Sequence, residues 1–236
     1  MSEPTQGGAS GIPEPPASLD RLREQLALPG VGESLVKSRP GRGGRRAAVL
    51  ILLSLDESAA RVETSETAGL RIVLIEKAAH LRRHAGQMAF PGGAVEPGDP
   101  TGVAAALREA DEEVGVRPEE VRVLGTLPPA HVAASGFDAM SVVGWWRGDR
   151  VLAPGDDGEV QAVHTLPVPV LVDPLSRWVA THQSGYTGPA FVVGDLFIWG
   201  FTAHLLTGLI QLAGWEVPWD QDRRAEIPPR FLYGRR

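Results

Sequence analysis

Residues 102–116, which read GVAAALREADEEVGV, decide the fold of this chain. Four apolar side chains recur there at helical spacing: Val103, Leu107, Ala110 and Val114. Such a stripe is typical of an amphipathic helix that packs one face on a core. Gly115 follows the last apolar position, where glycine commonly ends a helix. The pattern therefore predicts a helix over these residues with one buried face.

The polar residues of this helix are acidic on one side. Glu109, Glu112 and Glu113 stand at i, i+3 and i+4, so their carboxylates converge on one patch, where they repel by roughly a few tenths of a kcal/mol per pair. Oxygen ligands suit Mg²⁺ or Mn²⁺ better than zinc. Arg108 lies beside the patch and is placed to orient a glutamate. The alternative is a solvated acidic face, which a charge run alone usually indicates.

A glycine turn precedes the predicted helix. Pro91–Gly92–Gly93 follow Phe90 directly, and glycine lets the backbone approach a ligand closely. Asp99 adds a carboxylate before the helix, whereas Glu96 is interpreted as a turn or cap residue. The turn and the acidic helix together favour a site that holds a diphosphate through divalent ions.

Composition narrows the class of protein. The chain has 236 residues, 43% hydrophobic and 22% charged, as in an ordinary globular domain with tails. Its formal net charge of −6 argues against non-specific binding of nucleic acid or of an anionic membrane. The lack of cysteine excludes disulfides, thiolate metal sites and a cysteine nucleophile. Residues 1–16 do not resemble a signal peptide, and no apolar run reaches the roughly 20 residues that span a bilayer. We therefore expect a cytoplasmic enzyme.

The chain is expected to have three parts. Residues 1–40 form an N-terminal extension, disordered through residue 17 and followed by a short helix over residues 19–28 capped by Ser18. Residues 41–214 form the main domain, and residues 215–236 form a polar tail. Residues 38–46, SRPGRGGRR, have the composition of a flexible linker. The alternative is that some of these arginines reach a phosphate.

Apolar runs mark the strands of the main domain. Residues 47–55 and 71–75 are almost continuously apolar, which predicts buried central strands joined by a polar loop. Five further strands are expected, at residues 121–127, 139–146, 160–166, 178–182 and 190–193. Helices are expected at residues 168–172 and 201–212. We expect Trp145, Trp146 and Trp199 in the core or at its rim, with the lining of the pocket as the alternative for one of them. Strands mixed with helices predict an α/β sandwich.

Two segments of this sequence, GAVEPGD at residues 93–99 and READEEVGV at residues 108–116, together resemble the Nudix box. In that family the box forms a loop–helix–loop, and the fold is an α/β/α sandwich with a mixed β-sheet. The resemblance implies that the helix glutamates bind the metal and act in catalysis with Arg108: Glu109, Glu112 and Glu113. Asp99 stands where the box usually has Glu, and one extra residue separates it from Arg108. Both departures leave a ligand role for Asp99 in question.

A second motif, LRRHAGQMAFPGG at residues 81–93, resembles the signature of the coenzyme A pyrophosphatase branch of this family. Residues 184–206 also resemble this branch, although Lys77–Ala78 stands where the branch tends to have Arg–Ser. The resemblance implies cleavage of coenzyme A to 3′,5′-ADP and 4′-phosphopantetheine. The candidate substrate-binding residues are Arg82, His84, Gln87, Gly92, Gly93 and Lys77. Taken singly, His84 is more often a structural histidine, and Arg82 and Arg83 are more often surface charges.

Several roles stay open at this point. The general base is either a box glutamate or a carboxylate of the later loop 156–159, where Glu159 is the candidate. The 3′-phosphate needs a positive partner, for which Arg82, Arg83 and Lys77 are the hypotheses. Another nucleoside diphosphate derivative, such as NADH or ADP-ribose, is an alternative substrate, and a non-catalytic nucleotide-binding module is an alternative function. We expect a small-molecule substrate, no nucleic-acid or membrane partner, and a homodimer as one option for the oligomeric state.

Overall fold

The computed structural model describes residues 11–30, 45–61, 65–81, 84–132, 136–156 and 158–233. Its helices are α1 Asp20–Ala27, α2 Glu57–Ala60, α3 Gly102–Val114, α4 Val168–Val172, α5 Gly200–Ala213 and α6 Arg230–Tyr233. Short 3-10 turns occur at Ala17–Leu19, Pro118–Glu120 and Pro174–Ser176. In the ranges given above, no helix is long and apolar enough to cross a membrane.

Eleven strands form two sheets in the described part of the chain. The larger sheet contains β1 Arg45–Leu55, β2 Leu70–Lys77, β3 Met88–Ala89, β4 Gly92–Ala94, β5 Val121–Val132, β6 Phe137–Trp146 and β7 Val160–Pro167. The smaller sheet contains β8 Arg177–Thr181, β9 Thr187–Val193, β10 Leu196–Ile198 and β11 Arg224–Glu226. The strands expected from the apolar runs are all present, and each is as long as expected or longer, except that β8 ends one residue early.

The larger sheet is mixed and opens along its middle. Strand β1 runs parallel to β6 and antiparallel to β2, but it pairs with β2 only through residues 53–55. Beyond that point β1 pairs with β4 through residues 47–49, and β2 pairs with β3 through residues 75 and 76. The two central strands therefore separate, and the segment between residues 88 and 94 lies in the gap.

Each face of the larger sheet has its own hydrophobic core. Leu50 and Leu52 of β1 pack on α3, while Ile51 and Leu53 face α5, α1 and the smaller sheet. This alternation follows from the two-residue period of a strand, and it explains why the whole β1 run is apolar. The predicted α/β/α sandwich with a mixed sheet is confirmed.

Two local expectations differ from the structure. Ser18 does not cap the first helix, because a 3-10 turn precedes α1 and no side chain caps its start. The polar loop after β1 contains the short helix α2, whose start is capped by Asp56 through the backbone N–H groups of Ser58 and Ala59. Side-chain capping therefore sets the start of α2, whereas α1 simply continues from the preceding 3-10 turn.

The C-terminal segment packs against the smaller sheet. Strand β11 runs parallel to β8, and Trp215, Ile227 and Phe231 are buried in the core beside α5. At the other end, the Trp145 indole donates a 2.9 Å hydrogen bond to the Pro13 carbonyl. The segments predicted as extension and tail therefore contribute contacts to the main domain.

The expected disorder of residues 1–17 is wrong for residues 11–17, which are described and contact the main domain, while residues 1–10 lie outside the described residues. The expected linker 38–46 is wrong for residues 45 and 46, which begin β1, and its remainder lies outside the described residues.

The end of helix α3 is fixed by an ion pair. Arg150 donates to Glu120 Oε1 at 3.0 Å, to Oε2 at 2.8 Å, and to the Gly115 carbonyl at 2.7 Å. Hydrogen bonds from Arg150, and then from Arg117, lower the pKa of Glu120 from the usual 4.5 to about 2. This cluster connects the last turn of α3 to the start of β5.

We expect Glu120→Gln to destabilise the fold by about 0.5–1 kcal/mol at pH 7, because the pair is partly exposed. A depressed folded-state pKa stabilises the fold above pH 4.5, and that contribution disappears as the pH falls towards 2. The difference between variant and wild type should therefore shrink between pH 4.5 and 2 in urea unfolding. Glu119→Gln, at an exposed neighbouring position, is the control. A difference that stays constant with pH would contradict this account.

Candidate active site

Helix α3 packs on the larger sheet with Glu113 on its buried side. Thr101 caps its start by accepting a 3.1 Å hydrogen bond from the Ala104 N–H, and Gly115 ends it in the left-handed conformation. Its closest packing uses small side chains, with Ala105, Ala106 and Ala110 fully buried. The buried face of α3 is therefore shifted from the predicted apolar stripe towards these alanines. Val103 and Leu107, which belong to the predicted stripe, are only half-buried at the edge of that face. The close approach allowed by alanine also buries Glu113.

Arg108 is the centre of the carboxylate cluster. Its guanidinium donates to Asp99 at 3.1 and 3.2 Å, to Glu112 at 2.8 Å and to Glu109 at 2.9 Å. It also donates to the Ala94 carbonyl at 3.2 Å. The hydrogen bonds to Asp99, and the charges of the two glutamates, raise the pKa of Arg108. One cation thus joins the loop before α3 to two of the predicted metal ligands.

Asp99 belongs to the support of Arg108. Its side chain is 7% exposed, and it also accepts a 2.8 Å hydrogen bond from the Glu96 N–H. The hydrogen bonds from Arg108 and from the Glu96 backbone lower the pKa of Asp99. Both carboxylate oxygens are used in these contacts. The backbone contact also fits the interpretation of Glu96 as a turn residue.

Glu113 is held by a different set of donors. Its side chain is 2% exposed, with Oε1 at 2.6 Å from the Lys77 Nζ and Oε2 accepting from the Gly92 N–H at 2.8 Å. Such charge-assisted bonds are what makes burial of a carboxylate tolerable. The ammonium of Lys77 is therefore directed at Glu113, and its assignment as a substrate-binding residue stays a prediction.

The glycine turn is required by close contacts on both sides. A Cβ at Gly92, where φ is 155°, would collide with the backbone of Ala48 and Val49. A Cβ at Gly93 would lie 2.5 Å from the Glu109 Oε1. Strand β4 therefore needs glycine at position 92 to pass along β1, whereas a side chain at position 93 would displace the Glu109 carboxylate.

Glu109 lies where an added cation would be favourable. Burial raises the pKa of Glu109, Arg108 opposes this, and the charges of Glu113 and Glu112 raise the pKa further. Glu112 stays more exposed, at 52% of its side chain. Carboxylate oxygens crowded in this way fit a hard divalent ion in donor chemistry. No three His, Asp or Glu side chains of the described ranges already form an assembled metal site. Arg108 pairs with one oxygen each of Glu109 and Glu112, and Lys77 pairs with one oxygen of Glu113.

A cavity of about 660 Å³ opens beside the glycine strand, in the gap between β1 and β2. Its polar end contains Lys77, Gln87, Gly92 and Gly93, and the rest of its wall is mainly apolar. The apolar lining comes from β1, β3, β6 and α5 or their flanks: Val49, Met88, Phe90, Phe137, Ala139, Trp199 and Phe201. Glu113 borders this cavity through Lys77 and Gly92, and Glu109 lies next to Gly93.

The motif at residues 81–93 contributes one side of this cavity. His84, at a φ of 59°, pairs its Nδ1 with the Gln87 Oε1 at 2.8 Å, and both residues line the cavity. This contact also fits a structural role for His84 as the support of Gln87. Arg82 and Arg83 lie outside the described residues, so their predicted roles are untested.

Glu159 also lines the cavity. Its backbone carbonyl accepts from the Ala78 N–H at 2.7 Å, which fixes it at the start of β7. Its carboxylate is 56% exposed, with Oε2 at 3.8 Å from the Lys77 Nζ. Lys77 therefore lies between Glu113 and Glu159. The role of Glu159 as general base stays a prediction.

The sequence indicated the aromatic wall only through the alternative that one tryptophan lines the pocket, which Trp199 does. Phe137 comes from β6, while Trp199 and Phe201 come from the start of α5. Trp145 and Trp146 are buried as expected. The one available signal was the position of Trp199, directly before a predicted apolar helix.

Comparison with known proteins identifies similar sequences. A family model described as "NUDIX domain" matches residues 45–185. The proteins named "Uncharacterized Nudix hydrolase NudL" from Salmonella newport and Salmonella heidelberg are each 39% identical to this chain over 142 residues. The match covers 58% of this chain and 72% of each relative. Most of the matched segment is the larger sheet together with α3.

Solved structures give a weaker similarity. A Nudix hydrolase from M. smegmatis, RenU, is 15% identical, with 77% of this chain and 100% of that chain covered and a TM-score of 0.49. The NUDIX domain of Shewanella oneidensis NrtR, in complex with ADP ribose, is 18% identical, with coverages of 59% and 84% and a TM-score of 0.41. These similarities are too weak to inform the geometry of the site.

We expect Gly93→Ala to weaken Mn²⁺ binding by about tenfold or more, because the new methyl group displaces the Glu109 carboxylate. Calorimetric titration with Mn²⁺ measures this directly. Gly98→Ala is the matched control, since a Cβ there meets no atom within 4 Å. Equal Mn²⁺ affinity in the two variants would show that Glu109 does not depend on this close contact.

Proposed function

This chain belongs to the Nudix family of hydrolases, which act on nucleoside diphosphate derivatives, and we propose that its substrate is coenzyme A. The reaction is hydrolysis of the pyrophosphate bond, with 3′,5′-ADP and 4′-phosphopantetheine as products. The proposal includes a cytoplasmic location, a small-molecule substrate and no nucleic-acid partner, in keeping with the net charge of −6.

One observation carries the choice of substrate. The motif at residues 81–93, which resembles the coenzyme A branch, forms a wall of the 660 Å³ cavity and ends at the glycine strand beside the glutamates. A diphosphate at the glycine strand would place one arm of the substrate in the mainly apolar cavity. A long, largely uncharged arm next to a diphosphate is a feature of coenzyme A.

The metal chemistry rests on three side chains. Nudix hydrolases generally use divalent metal ions, and here Glu109, Glu112 and Glu113 would hold them, with Mg²⁺ or Mn²⁺ as the proposed ion. Bound ions of this kind neutralise the phosphate charge and lower the pKa of an attacking water. Arg108 keeps Glu109 and Glu112 oriented by direct hydrogen bonds, and Lys77 does the same for Glu113.

Groups of the protein itself would bind the diphosphate and accept the proton of the attacking water. The backbone turn at Gly92 and Gly93 lets the diphosphate approach the glutamate face, and Gln87 lies at the same end of the cavity. The water oxygen forms the new bond to phosphorus as the bridging phosphorus–oxygen bond breaks. Glu159, which lines the cavity, is the proposed base that accepts the proton of the water.

Incubation of the protein with coenzyme A and Mg²⁺ or Mn²⁺ should release 3′,5′-ADP and 4′-phosphopantetheine in equal amounts. Chromatography with mass detection measures both products, and NADH and ADP-ribose serve as competing substrates. Efficient cleavage of ADP-ribose or NADH without cleavage of coenzyme A would refute the assignment of coenzyme A as the substrate. If none of the three compounds is cleaved, the enzyme assignment fails and the alternative of a non-catalytic nucleotide-binding module is favoured.

The control for this assay is a pair of neighbouring helix variants. Glu112→Gln should lower kcat by about 100-fold or more, because it removes a negative oxygen from the metal site. Asp111→Asn, at an exposed position one residue earlier, should retain the wild-type rate. Full activity of Glu112→Gln would refute the metal assignment while leaving the substrate assignment intact.

A further inference from the structure

An arginine is stacked on an aromatic ring at the edge of the cavity. Arg45 and Phe137 are direct neighbours in the parallel pairing of β1 with β6, and the Arg45 Cζ lies 4.4 Å from the centre of the Phe137 ring. Phe137 lines the cavity, whereas Arg45 is exposed. A guanidinium stacked in this way is attracted by the ring and loses part of its freedom, so it is partly preorganised.

The direction of Arg45 follows from the strand. Arg45, Ala47 and Val49 alternate along β1 and share one face, and Ala47 and Val49 both line the cavity. Arg46 belongs to the opposite face by the same alternation, and its backbone carbonyl accepts from the Val95 N–H at 2.9 Å within the sheet. The chain thus places two adjacent arginines on opposite sides of one strand.

Arg45 also has hydrogen-bonding capacity to spare. Within the described residues no acidic side chain forms an ion pair with it, whereas Lys77 and Arg108 are engaged by the glutamates. Stacking uses the face of the guanidinium and leaves its N–H donors free in the plane. Those donors match the oxygens of a phosphate group.

Arg45 lies just beyond the part of β1 that pairs with the glycine strand. Ala48 pairs with Gly93, and Arg45 lies three residues further along β1, about 10 Å away at the usual rise per residue. A ligand whose diphosphate lies at Gly93 can therefore present a second anionic group to Arg45.

We propose that Arg45, stacked on Phe137, binds the 3′-phosphate of the substrate and so distinguishes coenzyme A from dephospho-coenzyme A. This inference rests on the proposed function and adds a specificity-determining residue to it. It also gives the 3′-phosphate a partner from the basic segment 38–46 in place of Lys77.

The test compares wild type with Arg45→Met and Arg46→Met on coenzyme A and on dephospho-coenzyme A. Arg45→Met should lower the ratio of the two kcat/KM values by about tenfold or more, through a higher KM for coenzyme A. Arg46→Met removes the same charge from the opposite face and should leave the ratio at its wild-type value. An equal loss on both substrates in Arg45→Met, or an equal change of ratio in the two variants, would overturn the proposal.

A binding measurement separates this inference from the proposed reaction. Calorimetric titration without metal should show that wild type binds 3′,5′-ADP more tightly than 5′-AMP, and that Arg45→Met loses this preference. If wild type shows the preference but cleaves no coenzyme A, the reaction is refuted and the phosphate contact stands. If it cleaves coenzyme A and Arg45→Met keeps the preference, the contact is refuted and the reaction stands.

Discussion

The site depends on the contacts of a single guanidinium. Arg108 bonds to Asp99, Glu109 and Glu112 at once and reaches the Ala94 carbonyl as well. Without a cation at its centre, this group of carboxylates would separate, because like charges repel and Glu109 is already partly buried. A planar fork with five N–H donors can make these bonds together, which a lysine ammonium cannot do in the same geometry.

The fold supplies the second constraint. Because β1 and β2 pair only at one end, a gap opens in the larger sheet, and the segment carrying Gly92 and Gly93 fills part of it. The rest of the gap is the cavity. Glu113 reaches this region from the buried side of α3, where Lys77 and the Gly92 N–H stabilise its charge. A diphosphate site and an apolar cavity thus share one border.

Local patterns predicted much of this arrangement. The spacing of Glu109, Glu112 and Glu113 placed three carboxylates on one region of a helix, and the continuous apolar run identified β1 as a central strand. Periodicity did not reveal that Glu113 is buried while Glu112 is exposed, because that depends on how closely alanines let α3 approach the sheet. The glycine turn was visible in the sequence, but its tight contact with Glu109 was not.

Long-range pairing accounts for what the sequence did not predict. The neighbours Arg45 and Phe137 are far apart in the chain, and only the parallel register of β1 with β6 brings them together. The C-terminal segment was expected to be a polar tail, yet β11 pairs with β8 because three isolated apolar side chains fit the core. The overall composition of the segment is polar, so it does not indicate that these single apolar side chains are buried.

The most direct test of the central role of Arg108 is the turnover number of Arg108→Lys on the nucleoside diphosphate derivative that the wild type cleaves. The charge is kept, but one ammonium cannot bridge Asp99, Glu109 and Glu112. We predict a fall in kcat of about 100-fold while the variant stays folded, as judged by thermal unfolding. A folded Arg108→Lys variant with the wild-type kcat would contradict the account.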